Sequence, residues 1–223
     1  MKAQRINFNT QDGVTIAGLH LHVPAAKSTA LLVHMMPATK ESWLSFMPLL
    51  AERGVSSLAI DLRGHGDSLM MGNQPIDYHR FDDDEHAKAT LDVEAAVAWL
   101  LDAEKLPIHK LLMAGASIGA NLGLWFASTH LQVPAVLALS PGLNYRSLMP
   151  ENYIPALAEN QRAFLAASEE DAYSYSSLEE FSKMKTEARI TIKKLRAAGH
   201  GTTMFASDQN FMKESADWLC AGL

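Results

Sequence analysis

The sequence predicts an α/β protein with a doubly wound, mostly parallel, eight-stranded sheet and helices on both faces. Two observations lead to this fold class. Short, nearly continuous apolar runs alternate along the chain with longer segments whose apolar residues recur at helical spacing. The 223 residues also contain no linker or low-complexity tract that would divide them. We therefore expect a single domain over residues 1–223.

The predicted strands begin with two β-like runs, residues 5–9 and 14–23. Asp12-Gly13 between them is a strong hairpin-turn signal. Four apolar runs with few interruptions follow, as is typical of parallel strands buried on both faces. These runs cover residues 30–36, 55–60, 111–116 and 133–139. Residues 163–167 and 190–195 continue the series, which makes eight strands.

Helical patterns lie between these runs. They cover residues 42–53, 84–101, 118–130, 176–186 and 208–220. Gly54 ends the first of them. Strand and helix in regular alternation indicate right-handed crossovers between neighbouring parallel strands.

Composition excludes several classes of function. Lysine and arginine number 19 and aspartate and glutamate 25, so the formal net charge is −6. A modestly acidic chain without a basic cluster is not expected to bind nucleic acid. The sequence contains no long apolar run and no secretory signal, so we expect no membrane association and a cytoplasmic location. The single cysteine, Cys220, excludes an internal disulfide framework and a cysteine zinc cage.

The strongest chemical signal is Gly115-Ala116-Ser117-Ile118-Gly119, between a predicted strand and a predicted helix. A tight strand-to-helix turn of this kind exposes the serine, and glycine is needed where side chains would collide. The serine then lies at a helix N-terminus, where backbone N–H groups can stabilise negative charge. Ser117 is the candidate nucleophile.

A nucleophilic serine needs a base, and the base needs an orienting acid. His200 lies in a glycine-flanked loop between the last predicted strand and helix, and is the candidate base. Three adjacent acids follow the strand over residues 163–167. We favour Asp171, with Glu169 and Glu170 as the alternatives. The chain order of serine, acid and histidine is the one expected for this architecture.

Further segments resemble the α/β-hydrolase fold superfamily over essentially the whole chain. They are residues 33–37 (VHMMP), 61–68 (DLRGHGDS), 138–142 (ALSPG) and 199–201 (GHG), with Trp43 after the first. Within the superfamily the chain is most similar to small, lidless, dienelactone-hydrolase-like and esterase-like members. About 20 residues separate the strand ending at Leu139 from the next strand, which is too short for a large lid domain.

The resemblance implies that the backbone N–H groups of Met36 and Ile118 form the oxyanion hole. Met35 departs from the family, which usually has glycine at this position. Glycine there lets the loop turn tightly. We place Met35 in the substrate pocket, with a core position as the alternative.

Several other polar residues are predicted to be structural. His34 is interpreted as a satisfied structural histidine at the end of a buried strand, and His65, in a glycine-rich loop, is interpreted as structural too. The acidic run 82–85, with His79 and His86 nearby, is interpreted as a helix cap, so no metal site is predicted. Cys220 is interpreted as a packing residue.

These residues predict a serine hydrolase that cleaves a small ester, lactone or thioester through an acyl-enzyme intermediate, without a cofactor. The alternatives are a non-catalytic scaffold of the same fold that binds a ligand or partner, and a small acyl-peptidase. The expected partner is a small-molecule substrate, and the pattern does not indicate an oligomeric state.

Overall fold

The sheet of the computed structural model, which describes residues 2–222, contains ten strands. Eight of them have five or more residues, which confirms the predicted fold class. The strands are β1 (Gln4–Asn9), β2 (Val14–Leu21), β3 (Ser28–Val33), β4 (Val55–Ile60), β5 (Met70–Met71), β6 (Gln74–Pro75), β7 (Leu111–Ala116), β8 (Ala135–Leu139), β9 (Arg162–Ser168) and β10 (Arg189–Leu195). The two-residue strands β5 and β6 form a short antiparallel ribbon that the sequence did not indicate.

The order of the eight longer strands is β1-β2-β4-β3-β7-β8-β9-β10. Strands β3, β4 and β7 to β10 are parallel, and β2 is antiparallel to both of its long neighbours. The carboxyl ends of the parallel strands therefore meet at one edge of the sheet. In open α/β sheets this edge is where ligands bind.

The helices are α1 (Met47–Glu52), α2 (Asp83–Ala87), α3 (Ala89–Glu104), α4 (Ile118–Thr129), α5 (Ala172–Lys183), α6 (Thr203–Ser207) and α7 (Gln209–Cys220). Residues from α3, α4 and α5 pack on one face of the sheet, and residues from α1 and α7 pack on the other. Strand β3 shows why both faces are apolar: Leu31 and Val33 enter the first core, while Ala30 and Leu32 enter the second.

Three predicted helices differ from the observed ones. Residues 42–53 form a 3-10 turn, Lys40–Trp43, and then the short helix α1. Pro48 explains the break, because it has no N–H and fits only the first turn of a helix. Residues 84–101 are divided into α2 and α3 at Lys88.

Helix α5 begins at Ala172 instead of residue 176, because Asp171 caps it by accepting a hydrogen bond from the Ser174 N–H. The short helix α6 was not predicted. The segment between β8 and β9 contains only two 3-10 turns, Pro150–Asn152 and Ile154–Ala156, so no large lid covers the sheet edge. Within residues 2–222 no helix combines the length and the apolar composition required to cross a bilayer.

Candidate functional site

Ser117 occupies the sharp turn between β7 and α4. Its backbone has φ 54° and ψ −118°, a conformation that costs a non-glycine residue about 1–3 kcal/mol. A hydrogen bond of 2.8 Å from its N–H to the Leu139 carbonyl holds the turn against β8. A Cβ on Gly115 would overlap the backbone of Gly119, and a Cβ on Gly119 would overlap the Val33 carbonyl. The two glycines therefore allow the turn to form against its neighbours.

His200 and Asp171 form a direct pair. The distance from His200 Nδ1 to Asp171 Oδ2 is 2.7 Å. Burial alone would raise the pKa of the Asp171 carboxyl, but hydrogen bonds from His200, Ser174 and Ser140 hold that pKa at about 2. Asp171 is therefore ionised at neutral pH and can orient the imidazole with Nδ1 protonated.

The other two acids of the predicted trio have different positions. Glu170 Oε2 accepts a hydrogen bond of 3.0 Å from the Gly199 N–H, so it supports the loop without contacting the His200 ring. Glu169 is exposed, and its backbone N–H bonds to the Leu195 carbonyl. Of the three acids, the structure brings Asp171 to the histidine.

The loop of His200 is anchored from several sides. The Gly201 N–H donates to Ser140 Oγ at 2.9 Å, and the His200 N–H donates to Thr203 Oγ1 at 2.8 Å. A Cβ on Gly201 would collide with Met35 Sδ and would lie 3.2 Å from Ala116 Cβ. The residue after His200 thus packs against the residue before Ser117, which brings the two predicted site segments together.

Met36, Ser117 and Ile118 line one pocket of about 350 Å³. Ile118 is the first residue of α4, where backbone N–H groups lack intrahelical acceptors. Within residues 2–222, neither the Met36 N–H nor the Ile118 N–H has a hydrogen-bond acceptor. The three residues therefore line the same pocket, and the assignment of the Met36 and Ile118 N–H groups as oxyanion donors stays a prediction.

Met35 lies outside the set of residues that lines this pocket. Its side chain packs against the core on the α1 and α7 face, and its sulfur lies 4.0 Å from Thr202 Oγ1 in the loop of His200. The structure thus places Met36 on the pocket wall, and Met35 beneath the histidine loop.

The sequence did not indicate the other residues that line this pocket. They are Asp83, Asn144, Tyr145 and Arg146. Three of these residues follow β8. The one sequence signal that could have indicated them is their position directly after a predicted parallel strand.

The polar side chains of this wall have partners of their own. The Tyr145 hydroxyl lies 2.8 Å from Ser174 Oγ. Burial raises the pKa of the Tyr145 phenol, although hydrogen bonding with Ser174 and Ser117 opposes that rise. Arg146 pairs with Asp83 at 3.0 Å, which gives the pocket a polar rim.

His34 holds the loop that carries Met36. Its Nε2 accepts from the Leu62 N–H at 2.9 Å, and its Nδ1 lies 2.8 Å from the Met35 carbonyl. Complete burial lowers the pKa of His34 to about 3, so the ring is neutral, with one donor and one acceptor in use. This is the structural role predicted for it.

The segment 61–68 supports the same loop with buried charge pairs. Lys40 Nζ donates to Asp61 Oδ2 at 2.6 Å, and the Lys40 N–H donates to Asp61 Oδ1 at 2.8 Å. Arg63 makes hydrogen bonds of 2.9 and 2.8 Å to Asp92 Oδ1. His65 is buried and stacks on Tyr78 with ring centroids 3.7 Å apart. These residues brace the pocket from outside and do not line it.

Two further sequence interpretations concern the acidic run 82–85 and Cys220. Asp82 Oδ1 accepts from the Glu85 N–H at 2.8 Å, which confirms that this acidic run caps a helix. Burial raises the pKa of the Cys220 thiol to about 11, so it remains protonated and is a poor nucleophile.

Comparison with solved structures shows that this architecture is shared. The esterase Pf2001 of Pyrococcus furiosus superposes with a TM-score of 0.75 at 16% identity, covering 98% of this chain and 90% of the other. A 2,6-dihydroxy-pseudo-oxynicotine hydrolase gives a TM-score of 0.78 at 15% identity, covering 98% and 67%. Est1E of Butyrivibrio proteoclasticus, with ferulic acid bound, gives 0.75 at 14% identity, covering 96% of each chain. At such identities the likeness concerns the fold alone.

A search of curated proteins finds no match. The family model described as the alpha/beta hydrolase fold matches residues 31–179, about two thirds of the chain, which include β4, Ser117 and Asp171. The chain belongs to the α/β-hydrolase fold family.

Proposed function

We propose that the protein is a serine hydrolase that cleaves small carboxylic esters, lactones or thioesters through an acyl-enzyme. The observation that carries the proposal is the Asp171–His200 pair of 2.7 Å beside the strained turn of Ser117. The esterases and the hydrolase among the structural neighbours support the same class of reaction.

In the proposed reaction, His200 Nε2 removes the proton of Ser117 as Oγ attacks the substrate carbonyl. The N–H groups of Met36 and Ile118 stabilise the resulting oxyanion. The tetrahedral intermediate collapses, the alcohol or thiol leaves with a proton from His200, and an ester to Ser117 remains. Water, deprotonated by His200, then attacks this ester and releases the acid and the free serine. Asp171 stays ionised throughout and stabilises the imidazolium.

The pocket supports short substrates. Its volume of about 350 Å³ suits a short acyl chain and a small leaving group, and no large lid shields a long apolar chain from water. We expect hydrolysis of p-nitrophenyl acetate and butyrate, and little activity on the palmitate ester. Equal rates on short and long chains would contradict the short-substrate part of the proposal.

Labelling with a fluorophosphonate tests the nucleophile directly. Intact-mass measurement should show a single adduct on the wild type, none on Ser117→Ala, and slow formation on His200→Ala. Ser176→Ala is the matched control, because Ser176 is an exposed serine far along the chain from the turn, and it should label like the wild type. A folded wild type that forms no adduct would exclude the hydrolase and favour the non-catalytic scaffold. A labelled enzyme that cleaves acyl-peptides in preference to esters would favour the peptidase.

A further inference from the structure

A second cluster of reactive side chains lies at the opposite edge of the sheet from Ser117. His20 is on β2, His22 follows the end of that strand, and Glu104 is the last residue of α3. His20 pairs in register with Leu58 of β4, and Ser56 lies near the amino end of β4. The cluster therefore sits at the amino-terminal edge of the parallel strands, remote from the pocket.

The two histidine side chains converge on the Glu104 carboxylate. His20 Nε2 lies 2.6 Å from Glu104 Oε1, and His22 Nδ1 lies 3.0 Å from the same oxygen. One candidate ligand atom from each residue lies within 4.8 Å of the other two. A tetrahedral zinc ion has ligand distances of about 2.0–2.2 Å, which puts neighbouring ligand atoms roughly 3.4 Å apart. Each histidine nitrogen therefore needs to move away from Glu104 Oε1 by less than about 1 Å to admit the ion.

Of the three side chains, those of Glu104 and His20 are largely buried. A metal ion would replace the hydrogen bond of 2.6 Å between His20 Nε2 and Glu104 Oε1, and its binding would release the proton of that bond. His22 is exposed and provides an entry path from solvent.

Neighbouring groups orient the ligands in the manner of a metal site. Ser56 Oγ donates to Glu104 Oε2 at 2.8 Å and itself accepts from the Val23 N–H at 2.9 Å. The His20 ring is held edge-on against Trp99, with centroids 5.1 Å apart. The second carboxylate oxygen is thus already engaged, while the first faces both imidazoles.

We propose that His20, His22 and Glu104 bind one Zn²⁺ ion, with solvent at the remaining position. Two imidazoles and a carboxylate are the donor set of zinc and of the neighbouring late divalent metals. The bound ion would join the end of β2 to the end of α3, and its role is to stabilise the fold. The proposal is independent of the reaction at Ser117. The rival explanation is that the histidines only satisfy a buried carboxylate.

Equilibrium dialysis against Zn²⁺ alone, with the bound metal counted by mass spectrometry, distinguishes the two explanations. The wild type should bind about one equivalent, and Zn²⁺ should raise its Tm, because an ion that binds only the folded state stabilises it. His22→Ala should weaken binding by at least about tenfold. This exposed residue can be removed without opening the core.

His79→Ala is the matched control, because His79 is also exposed and also pairs with one carboxylate, Asp77, at 2.8 Å. It should bind Zn²⁺ like the wild type. Glu104→Gln is a second variant, interpreted only if circular dichroism shows that it folds; folded, it should lose the site. The proposal is overturned if the wild type shows no saturable binding. It is equally overturned if His22→Ala binds as tightly as His79→Ala.

Discussion

Ser140 Oγ accepts a hydrogen bond of 2.9 Å from the Gly201 N–H, and so joins the end of β8 to the loop that carries His200. The same side chain contributes a hydrogen bond that lowers the pKa of Asp171. Ser140 has φ 51°, which turns the chain sharply at this point. A residue outside the proposed reaction thus aligns both the acid and the base.

Replacing Ser140 with alanine should therefore lower kcat with little change in KM. The Gly201 N–H would lose its buried acceptor, which costs about 1–3 kcal/mol of free energy. Because Gly201 adjoins His200, this cost would shift the His200 loop. We expect kcat to fall by about tenfold, which corresponds to ~1.4 kcal/mol. Steady-state kinetics on p-nitrophenyl butyrate measure the effect, and Ser176→Ala serves as the control. A rise in KM at unchanged kcat would contradict a positioning role.

The neighbouring acids should differ sharply in their effect on the rate. Asp171→Asn removes the charge that orients and stabilises the His200 imidazolium, and we expect kcat to fall by about 10⁴-fold. Glu170→Gln keeps an oxygen for the Gly199 N–H, so the fall should be less than about tenfold. Glu169→Gln should leave the rate unchanged. A larger loss in Glu170→Gln than in Asp171→Asn would reverse the assignment of the acid.

Local patterns were enough to predict the sheet and the three residues proposed for catalysis. Ser117, Asp171 and His200 each follow a predicted parallel strand, and the carboxyl ends of such strands share one edge. The sequence favoured Asp171 but left Glu169 and Glu170 open, and only the 2.7 Å contact with His200 Nδ1 distinguishes Asp171 from its two neighbours. The breaks near Pro48 and Lys88 were missed because apolar spacing continues across them.

The pocket wall and the histidine cluster depend on contacts between distant segments. Tyr145 approaches Ser117 through the turn after β8, and no local motif encodes that turn. His20 and His22 alternate along a strand, which is visible in the sequence, but Glu104 lies more than 80 positions later on another element. Such pairs become neighbours only through the order of strands in the sheet.

Two glycines of the same region should respond in opposite directions to alanine. In Gly115→Ala the new Cβ would overlap the Gly119 carbonyl, and backbone cannot yield as a flexible side chain can. We expect a loss of more than about 3 kcal/mol in stability, or no soluble protein. In Gly123→Ala, within α4, the nearest atom is Val136 Cγ1 at 3.4 Å. There alanine should be neutral or stabilise by up to ~1 kcal/mol. Urea unfolding compares the two, and equal stabilities would refute the steric argument.

His34 should make the stability of the protein fall with acid. Burial lowers its pKa from 6.5 to about 3, so the unfolded chain takes up a proton below pH 6.5 while the folded chain does not until about pH 3. The stabilisation is therefore complete above pH 6.5 and is lost as the pH falls towards 3, with a slope of up to ~1.4 kcal/mol per pH unit.

The variant His34→Gln tests this dependence, because glutamine keeps a donor and an acceptor but does not titrate. Its unfolding free energy, measured in urea from pH 7 to pH 4.5, should fall less steeply than that of the wild type. The exposed His109→Gln should keep the wild-type slope. If His34→Gln keeps it too, His34 is not the group whose protonation drives the loss.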